Sequence, residues 1–277
     1  MFEILFFEYK VRNWINPNRL NRELLAENQN AVCLFENKNI TEYELLYLSS
    51  NPNAIDLLKK NLDRVNWFEL SKNPSAIHIL EQNLDKIDWK ALSSNPSAIH
   101  LLEKYPEKID WFWLSMNPNA IHLIEKNPDK IFWSWLSQNP SAIHLLEKNI
   151  EKVSWAYLSH NPKAIHLLEA NQDKIHWQWL SENPNAIHLI EQNLDKVDWN
   201  YLSKNPNPKA IYLLEKNQDK IEWYLISTNP AIFEPVYDYH KMKERMRTTI
   251  AEELLQKAMH PSRLIRYLDM GGDLEDF

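Results

Sequence analysis

Six histidines recur at intervals of 22 residues, and histidine is a common metal ligand and proton carrier near neutral pH. They are His78, His100, His122, His144, His166 and His188. A Zn–N bond is about 2.0–2.1 Å long, so the ligands of one ion must converge. Side chains repeated once per structural unit are about 8–10 Å apart and cannot converge. We therefore interpret this histidine column as surface or inter-unit hydrogen-bonding residues that bind no metal.

Protonation gives the histidine column a second possible consequence. Imidazole titrates near pH 6.5, and six aligned imidazolium groups would repel one another. The sequence therefore predicts a loss of thermal stability between about pH 7 and pH 5.

Nothing in the sequence assembles a catalytic or cofactor site. Only two glycines occur, Gly271 and Gly272, whereas phosphate-cradling loops and dinucleotide fingerprints need glycine where the backbone approaches the ligand. This excludes P-loop NTPases, Rossmann dehydrogenases and kinases with a glycine-rich loop. Regular repetition also counts against a single asymmetric active site. The prediction is a protein that is not an enzyme and binds no cofactor.

Aromatic side chains point to recognition instead. A tryptophan recurs every 22 residues from Trp67 to Trp199, and its constant apolar neighbours predict a place in the core. Two residues further on, the residue type varies and the middle members are aromatic, a composition typical of protein interfaces. These rings either widen the core or line one face of the protein. For the second alternative, the candidate partner-binding residues are Trp113, Trp135, Tyr157, Trp179 and Tyr201 at this place, with Phe68, Phe112 and Tyr224 at the variable place one residue earlier.

The regular recurrence of these histidines and tryptophans follows from a tandem repeat. Asn-Pro dipeptides begin at Asn51 and recur at 22-residue intervals as far as Asn205; Asn229-Pro230 follows after an insertion at Asn207-Pro208. Such self-similarity is typical of solenoids and repeat arrays. One unit cannot bury its own apolar face, so neighbouring units must stack.

A helix is predicted directly after each Asn-Pro dipeptide. In the unit that begins at Asn73, this asparagine is a suitable N-cap and Pro74 a suitable first helical residue. Apolar residues recur at helical spacing to about Gln82, and Asn83 is expected to end the helix in the left-handed conformation. A second helix begins either just after Asn83 or after Asp88, which is also a good N-cap.

The predicted fold is all-α: an elongated α-solenoid, or superhelix, of 22-residue two-helix units with helical caps. A leucine-rich repeat would need inward-facing strand residues where this chain has Lys90 and its polar counterparts. The predicted domains are an N-terminal cap with degenerate repeats over 1–50, the array over 51–232, and a C-terminal helical cap over 233–277.

Charge and composition limit the partners and the location. The net charge is −7, whereas nucleic-acid binders show a basic surplus that neutralises phosphates. No apolar stretch approaches the roughly 18 residues of a membrane span, and the N-terminus lacks the basic residues of a signal peptide. The single cysteine, Cys33, precludes an internal disulfide. We predict a cytoplasmic protein that contacts neither nucleic acid nor membrane.

The repeat also resembles a known group. The unit from Asn139 to Ser159, N-P-S-A-I-H-L-L-E-K-N-I-E-K-V-S-W-A-Y-L-S, is similar to tandem repeats in proteins of giant DNA viruses of amoebae, the Mimivirus and Megavirus relatives. The tail from His260 to Leu268 is similar to C-terminal segments of such proteins. The resemblance covers nearly the whole chain and implies a viral protein in the host cytoplasm or the virion. It transfers no catalytic residue.

The array departs from this pattern at three places, Tyr105, Tyr212 and the Asn207-Pro208 insertion, and we expect a local kink there.

The leading functional hypothesis is a non-enzymatic scaffold for protein–protein interaction, with a host or viral protein as partner. The alternative is a self-associating structural component of the virion or viral factory. A nucleic-acid-binding repeat is disfavoured by the acidic charge.

Overall fold

A computed structural model describes residues 7–36 and 38–237. The chain divides into two compact units: 11–233, which contains the whole repeat array, and a smaller unit of 1–10 with 234–277. The predicted C-terminal cap lies outside the described residues from position 238 onward.

The described part of the smaller unit belongs to a two-stranded sheet. Its strands are Phe7–Val11 and Phe233–Tyr237. Lys10 Nζ lies 3.2 Å from Glu234 Oε1. The sequence pattern did not predict this short sheet.

Two kinds of α-helix alternate along the larger unit. We name the first kind inner helices, because residues at their C-terminal ends line a cavity. The inner helices are Arg22–Leu25, Glu42–Ser50, Trp67–Lys72, Trp89–Ser93, Trp111–Leu114, Trp133–Gln138, Trp155–His160, Trp177–Glu182, Trp199–Leu202 and Trp223–Ile226. The outer helices are Ile55–Lys59, Ile77–Glu81, Ile99–Lys104, Ile121–Glu125, Ile143–Lys148, Ile165–Glu169, Ile187–Gln192 and Pro208–Lys216. The predicted all-α repeat of two short helices per unit is confirmed.

Short 3-10 helices join the α-helices. They are Pro17–Arg19, Val32–Phe35, Pro52–Ala54, Pro74–Ala76, Leu84–Lys86, Pro106–Lys108, Pro128–Lys130, Ile150–Lys152, Gln172–Lys174, Gln218–Lys220 and Pro230–Ile232. Asn73 caps its 3-10 turn as predicted, since its Oδ1 accepts from the Ser75 N–H at 3.0 Å. Of the two starts considered for the second helix, the one after Asp88 is found: Asp88 Oδ1 accepts from the Ala91 N–H at 2.9 Å.

The predicted left-handed end of the outer helix is wrong. Asn83 has φ −137° and ψ 51°, outside the left-handed region. Its side chain instead satisfies a carbonyl at the end of the helix, because Nδ2 donates to Ile79 O at 2.8 Å. Asparagine is therefore needed here for its amide and not for its backbone conformation.

The core consists of columns that run from unit to unit. One alanine and one leucine or isoleucine of the outer segment, and one leucine or isoleucine of the inner helix, are fully buried in each regular unit. Burial of a large apolar side chain contributes roughly 1.5–3 kcal/mol. In the unit that begins at Asn73, the residues are Ala76, Leu80 and Leu92.

A ladder of buried asparagines connects every unit to the one before it. Asn73 Nδ2 donates to Ser49 O at 3.0 Å and to Asn51 O at 2.9 Å. Both acceptors lie at the end of the preceding inner helix, where carbonyls lack helical partners. The ladder comprises Asn28, Asn51, Asn73, Asn95, Asn117, Asn139, Asn161, Asn183, Asn205 and Asn229.

The ladder closes on itself within the larger unit. Asn28 Nδ2 donates to Ser227 O at 3.0 Å and to Asn229 O at 2.9 Å, as though the last unit preceded the first. Asn30 Nδ2 likewise donates to Pro230 O at 2.9 Å. The ten asparagines therefore form a ring, so the expectation of an elongated array is wrong.

The tenth unit is built from both ends of the repeat region. It takes its Asn-Pro segment from Asn229-Pro230 and its 3-10 turn from Pro17–Arg19. The Arg12 N–H donates to Ile232 O at 2.9 Å, and Arg12 Nε donates to Ala231 O at 2.8 Å. The N-terminal boundary expected at residue 50 is therefore absent, since 11–50 forms part of the ring and does not cap an exposed end.

Serine hydroxyls form a second set of inter-unit bonds. Ser71 Oγ donates to Trp67 O at 2.7 Å and accepts from the Asp88 N–H at 3.1 Å. This set also includes the closing contact, because Ser227 Oγ accepts from the Asn21 N–H at 2.8 Å.

The insertion does not interrupt the ring. Pro208–Lys216 forms a single nine-residue helix, and Asn207 caps it by accepting from the Lys209 N–H at 2.9 Å. The ladder continues across the insertion, with Asn229 Nδ2 donating to Asn205 O at 2.9 Å. The expected kink at this point of the ladder is not found.

Candidate functional site: the inner face of the ring

The predicted recognition residues form a nearly continuous row of rings. Centroid distances are 5.0 Å from Trp135 to Tyr157, 6.2 Å from Tyr157 to Trp179, and 5.7 Å from Trp179 to Tyr201. Each of these rings is the third residue of its inner helix. Glu69, the third residue of another inner helix, lines a cavity between units from the start and the end of the repeat region. The row therefore faces the inside of the ring.

At its other end the row widens into a cluster. Phe112 lies 4.9 Å from Trp135 and 6.0 Å from Trp113, and Phe68 lies 6.0 Å from Trp113 although one unit separates them. That separating unit has Ala91 at the third helical place, which is small and fully buried. Seven of the eight candidates are thus in mutual contact. We call Phe68, Phe112, Trp113, Trp135, Tyr157, Trp179 and Tyr201 the aromatic strip.

The eighth candidate lies apart from the strip. Tyr224 is 51% exposed and lies near Tyr47, whose pKa is raised first by burial and then by nearby ionisable groups, Tyr224 among them. The sequence pattern missed Phe132, which is 47% exposed and lies 5.6 Å from Phe112. It stands at a helix N-cap, a place where polar residues usually occur and an aromatic ring is a signal.

The strip differs from the regular tryptophan column in its packing. Trp133 and its equivalents are partly buried and pack against the core, whereas Trp113, Trp135, Tyr157, Trp179 and Tyr201 do not belong to that core-contacting set. All five are of intermediate exposure. Their arrangement fits the alternative in which the rings line a face.

Cationic side chains lie over the rings of most of the regular tryptophans. Lys152 Nζ lies 4.8 Å from the ring centre of Trp133, and Arg19 lies 4.2 Å from Trp223 across the ring closure. Such cation–π contacts contribute about 0.5–1 kcal/mol at exposed sites.

A cavity of about 410 Å³ lies beside the strip. Its charged lining comes from the inner ends of units at the start and the end of the repeat region: Glu27, Glu69, Lys72, Glu182 and Lys204. Lys72 Nζ is 2.5 Å from Glu69 Oε2, and Lys204 Nζ is 2.7 Å from Glu182 Oε1. Glu182, at the C-terminal end of its inner helix, therefore faces inward.

Glu27 lines the cavity as an exposed residue, and the pKa of its carboxyl group is shifted. Burial raises the pKa of its carboxyl group, Lys204 opposes that effect, and Glu69 adds to it. Among the described residues, no ion pair involves Glu27, although the other two cavity carboxylates each hold a lysine.

His160 connects the cavity to the strip. Its ring lies 5.6 Å from the Trp179 ring, edge to face. Burial lowers the pKa of His160 below its ordinary value of 6.5; Glu182 opposes this shift and Lys204 adds to it.

Acidification is expected to destabilise the fold through His160. A group with a depressed pKa stabilises the folded state above its unfolded pKa, and this stability is lost as the pH falls through the folded pKa. We therefore expect His160→Gln to lose less stability than the wild type between about pH 7 and pH 5. Urea unfolding at several pH values measures the difference. The matched control is His78→Gln, since His78 is exposed; equal pH dependence in both variants would contradict the assignment.

The histidine column itself makes inter-unit hydrogen bonds, as predicted. His100 Nε2 lies 2.8 Å from Glu81 Oε1, and the same bond recurs for the next four histidines. Protonation would therefore place positive charge beside a carboxylate. The predicted loss of stability through repulsion among aligned histidines is therefore no longer expected for these five.

Two features are absent from the described residues. No group of three or more histidine, cysteine or acidic side chains is placed to hold a metal ion in this part of the chain. Likewise, none of its helices has the length and apolar character needed to cross a membrane.

Comparison with protein families, with curated proteins and with solved structures found no match. The resemblance to viral repeat proteins therefore stays a prediction from the sequence.

Proposed function

We propose that the chain is a non-enzymatic recognition protein that binds an extended segment of a partner protein on the inner face of its ring. The observation that carries this proposal is the aromatic strip, whose rings contact one another across successive units and are only partly buried. Tryptophan and tyrosine dominate the energetic hot spots of protein interfaces. A closed scaffold also fixes these rings before binding, which limits the entropy lost on association.

Ring closure weighs against the structural alternative. An open solenoid exposes a stacking face at each end, and end-to-end growth would use those faces. In this chain the faces satisfy each other through Asn28 and Asn229. The three cavity carboxylates also disfavour a nucleic-acid strand, because its phosphates would be repelled. In keeping with the viral resemblance, we propose a host or viral protein as partner and the host cytoplasm as the location.

Selection from a random peptide display library tests the proposal. We expect the purified protein to enrich a peptide family, and Trp135→Ala or Trp179→Ala to weaken its binding about 30-fold, the equivalent of a 2 kcal/mol hot spot. Tyr212→Ala is the matched control, because Tyr212 is an exposed aromatic residue on an outer helix. Peptides that bind all three variants equally, or no enrichment at all, would argue against recognition by the strip.

A further inference from the structure

The cavity next to the strip has an unequal charge lining. Three carboxylates face two lysines, and each lysine is already paired, Lys72 with Glu69 and Lys204 with Glu182. Glu27 is left as the carboxylate without an ion pair among the described residues. A cation of ligand origin would complete this set, since a carboxylate that lines a cavity is stabilised by a partner of opposite sign.

A second carboxylate oxygen is also available. Glu182 Oε1 binds Lys204, whereas Glu182 Oε2 is buried and has no hydrogen-bond partner among the described residues. A buried acceptor without a donor costs about 1–3 kcal/mol. Ammonium and guanidinium groups carry several donors and can satisfy more than one oxygen at once.

Aromatic side chains lie close to Glu182, although they do not themselves line the cavity. His160 interacts electrostatically with Glu182 and contacts the Trp179 ring at 5.6 Å. A cation entering along the strip would pass the π faces of Trp179 and its neighbours, which attract positive charge. Space is sufficient for a long side chain, given a cavity of about 410 Å³.

We infer that the cavity receives an alkylammonium or guanidinium group, supplied by a lysine or arginine of the bound segment. This inference rests on the proposed function, because it places the segment on the aromatic strip and its basic side chain in the cavity. Glu27 would provide the charge partner and Glu182 the additional acceptor. The raised pKa of Glu27 agrees with this geometry, since burial destabilises its ionised form until a cation arrives.

Calorimetric titration tests this inference on the full chain. The probes are putrescine, acetyl-arginine amide, and a display-selected peptide with arginine or its neutral isostere citrulline. We expect Glu27→Gln to weaken binding of each cationic probe by at least about tenfold, the equivalent of 1.4 kcal/mol. Glu147→Gln is the control, because Glu147 is an exposed member of a His–Glu pair on the outside. It should bind the probes as the wild type does.

The outcomes separate the two proposals. If the small cations bind and lose affinity in Glu27→Gln while no peptide binds, the cavity assignment holds and the proposed peptide recognition fails. If peptides bind the strip but citrulline replaces arginine without loss, the proposed function holds and the cavity assignment is overturned. Failure of all cationic probes also overturns it. Glu27→Gln should keep at least wild-type stability near neutral pH, which excludes unfolding as the cause of lost binding.

Discussion

Replacing Asn28 by alanine is expected to destabilise the protein as much as replacing Asn139, the same position in the middle of the array. Asn28 Nδ2 serves two carbonyls, and its Oδ1 accepts from the Asn30 N–H at 3.0 Å. Each buried polar group left without a partner costs about 1–3 kcal/mol, so the loss should be roughly 3 kcal/mol or more. In an open array, a residue so close to the end would matter far less.

Urea unfolding followed by tryptophan fluorescence measures both variants. Asn119→Ala is the control, because the side chain of this exposed asparagine makes a single hydrogen bond, from Nδ2 to Pro96 O at 2.8 Å. Its loss should lower the free energy of unfolding by less than about 1 kcal/mol. If Asn28→Ala resembles Asn119→Ala while Asn139→Ala is strongly destabilised, the ring is not closed in solution.

Deletion of one complete unit, residues 139–160, is expected to cost more than one unit's share of the stability. In a ring of ten units, each unit is rotated by one tenth of a circle relative to the one before it. A ring of nine units would need a larger rotation per unit, which the packing of the inner helices opposes. We expect the closure to open instead. Six hydrogen bonds close the ring, and at about 0.5–1.5 kcal/mol each their loss amounts to about 3–9 kcal/mol.

Two measurements distinguish this result from ordinary shortening. Amide hydrogen exchange should become fast at Arg12 and Asn21, whose N–H groups bond across the closure. The control replaces 139–160 with a copy of 117–138, which keeps ten units and should keep exchange slow at both amides. A shortened chain that loses only a proportional share of stability, with slow exchange retained, would be the behaviour of an open solenoid.

Much of the candidate site could be predicted from the repeat itself. Invariant places must pack identically in every unit, so Trp133 and Leu136 belong to shared columns, whereas variation at the place of Trp135 is free to serve recognition. This logic found Trp113, Trp135, Tyr157, Trp179 and Tyr201, and the variable place one residue earlier supplied Phe68 and Phe112; the structure brings all seven into one strip. It missed Phe132, which stands at a capping place. It also missed the inward position of Glu182, because one helix does not reveal which face its neighbours enclose.

The cavity could not be predicted from the sequence. Glu27 and Lys204 are 177 positions apart in the numbering, yet both line it. No pattern in the degenerate first 50 residues indicated that Glu27 faces the last units. That neighbourhood exists only because the two ends of the array meet.

The repeated sequence was enough to predict the unit: its length, its Asn-Pro cap and its apolar residues at helical spacing, with Asp88 as one of two starts for the inner helix. These features depend on interactions within a few residues, or between identical neighbours, and they recur along the chain. Tertiary structure alone decided that the array closes. The turn from one unit to the next is a small angle set by packing, and only its sum over ten units separates an open superhelix from a ring with an inside.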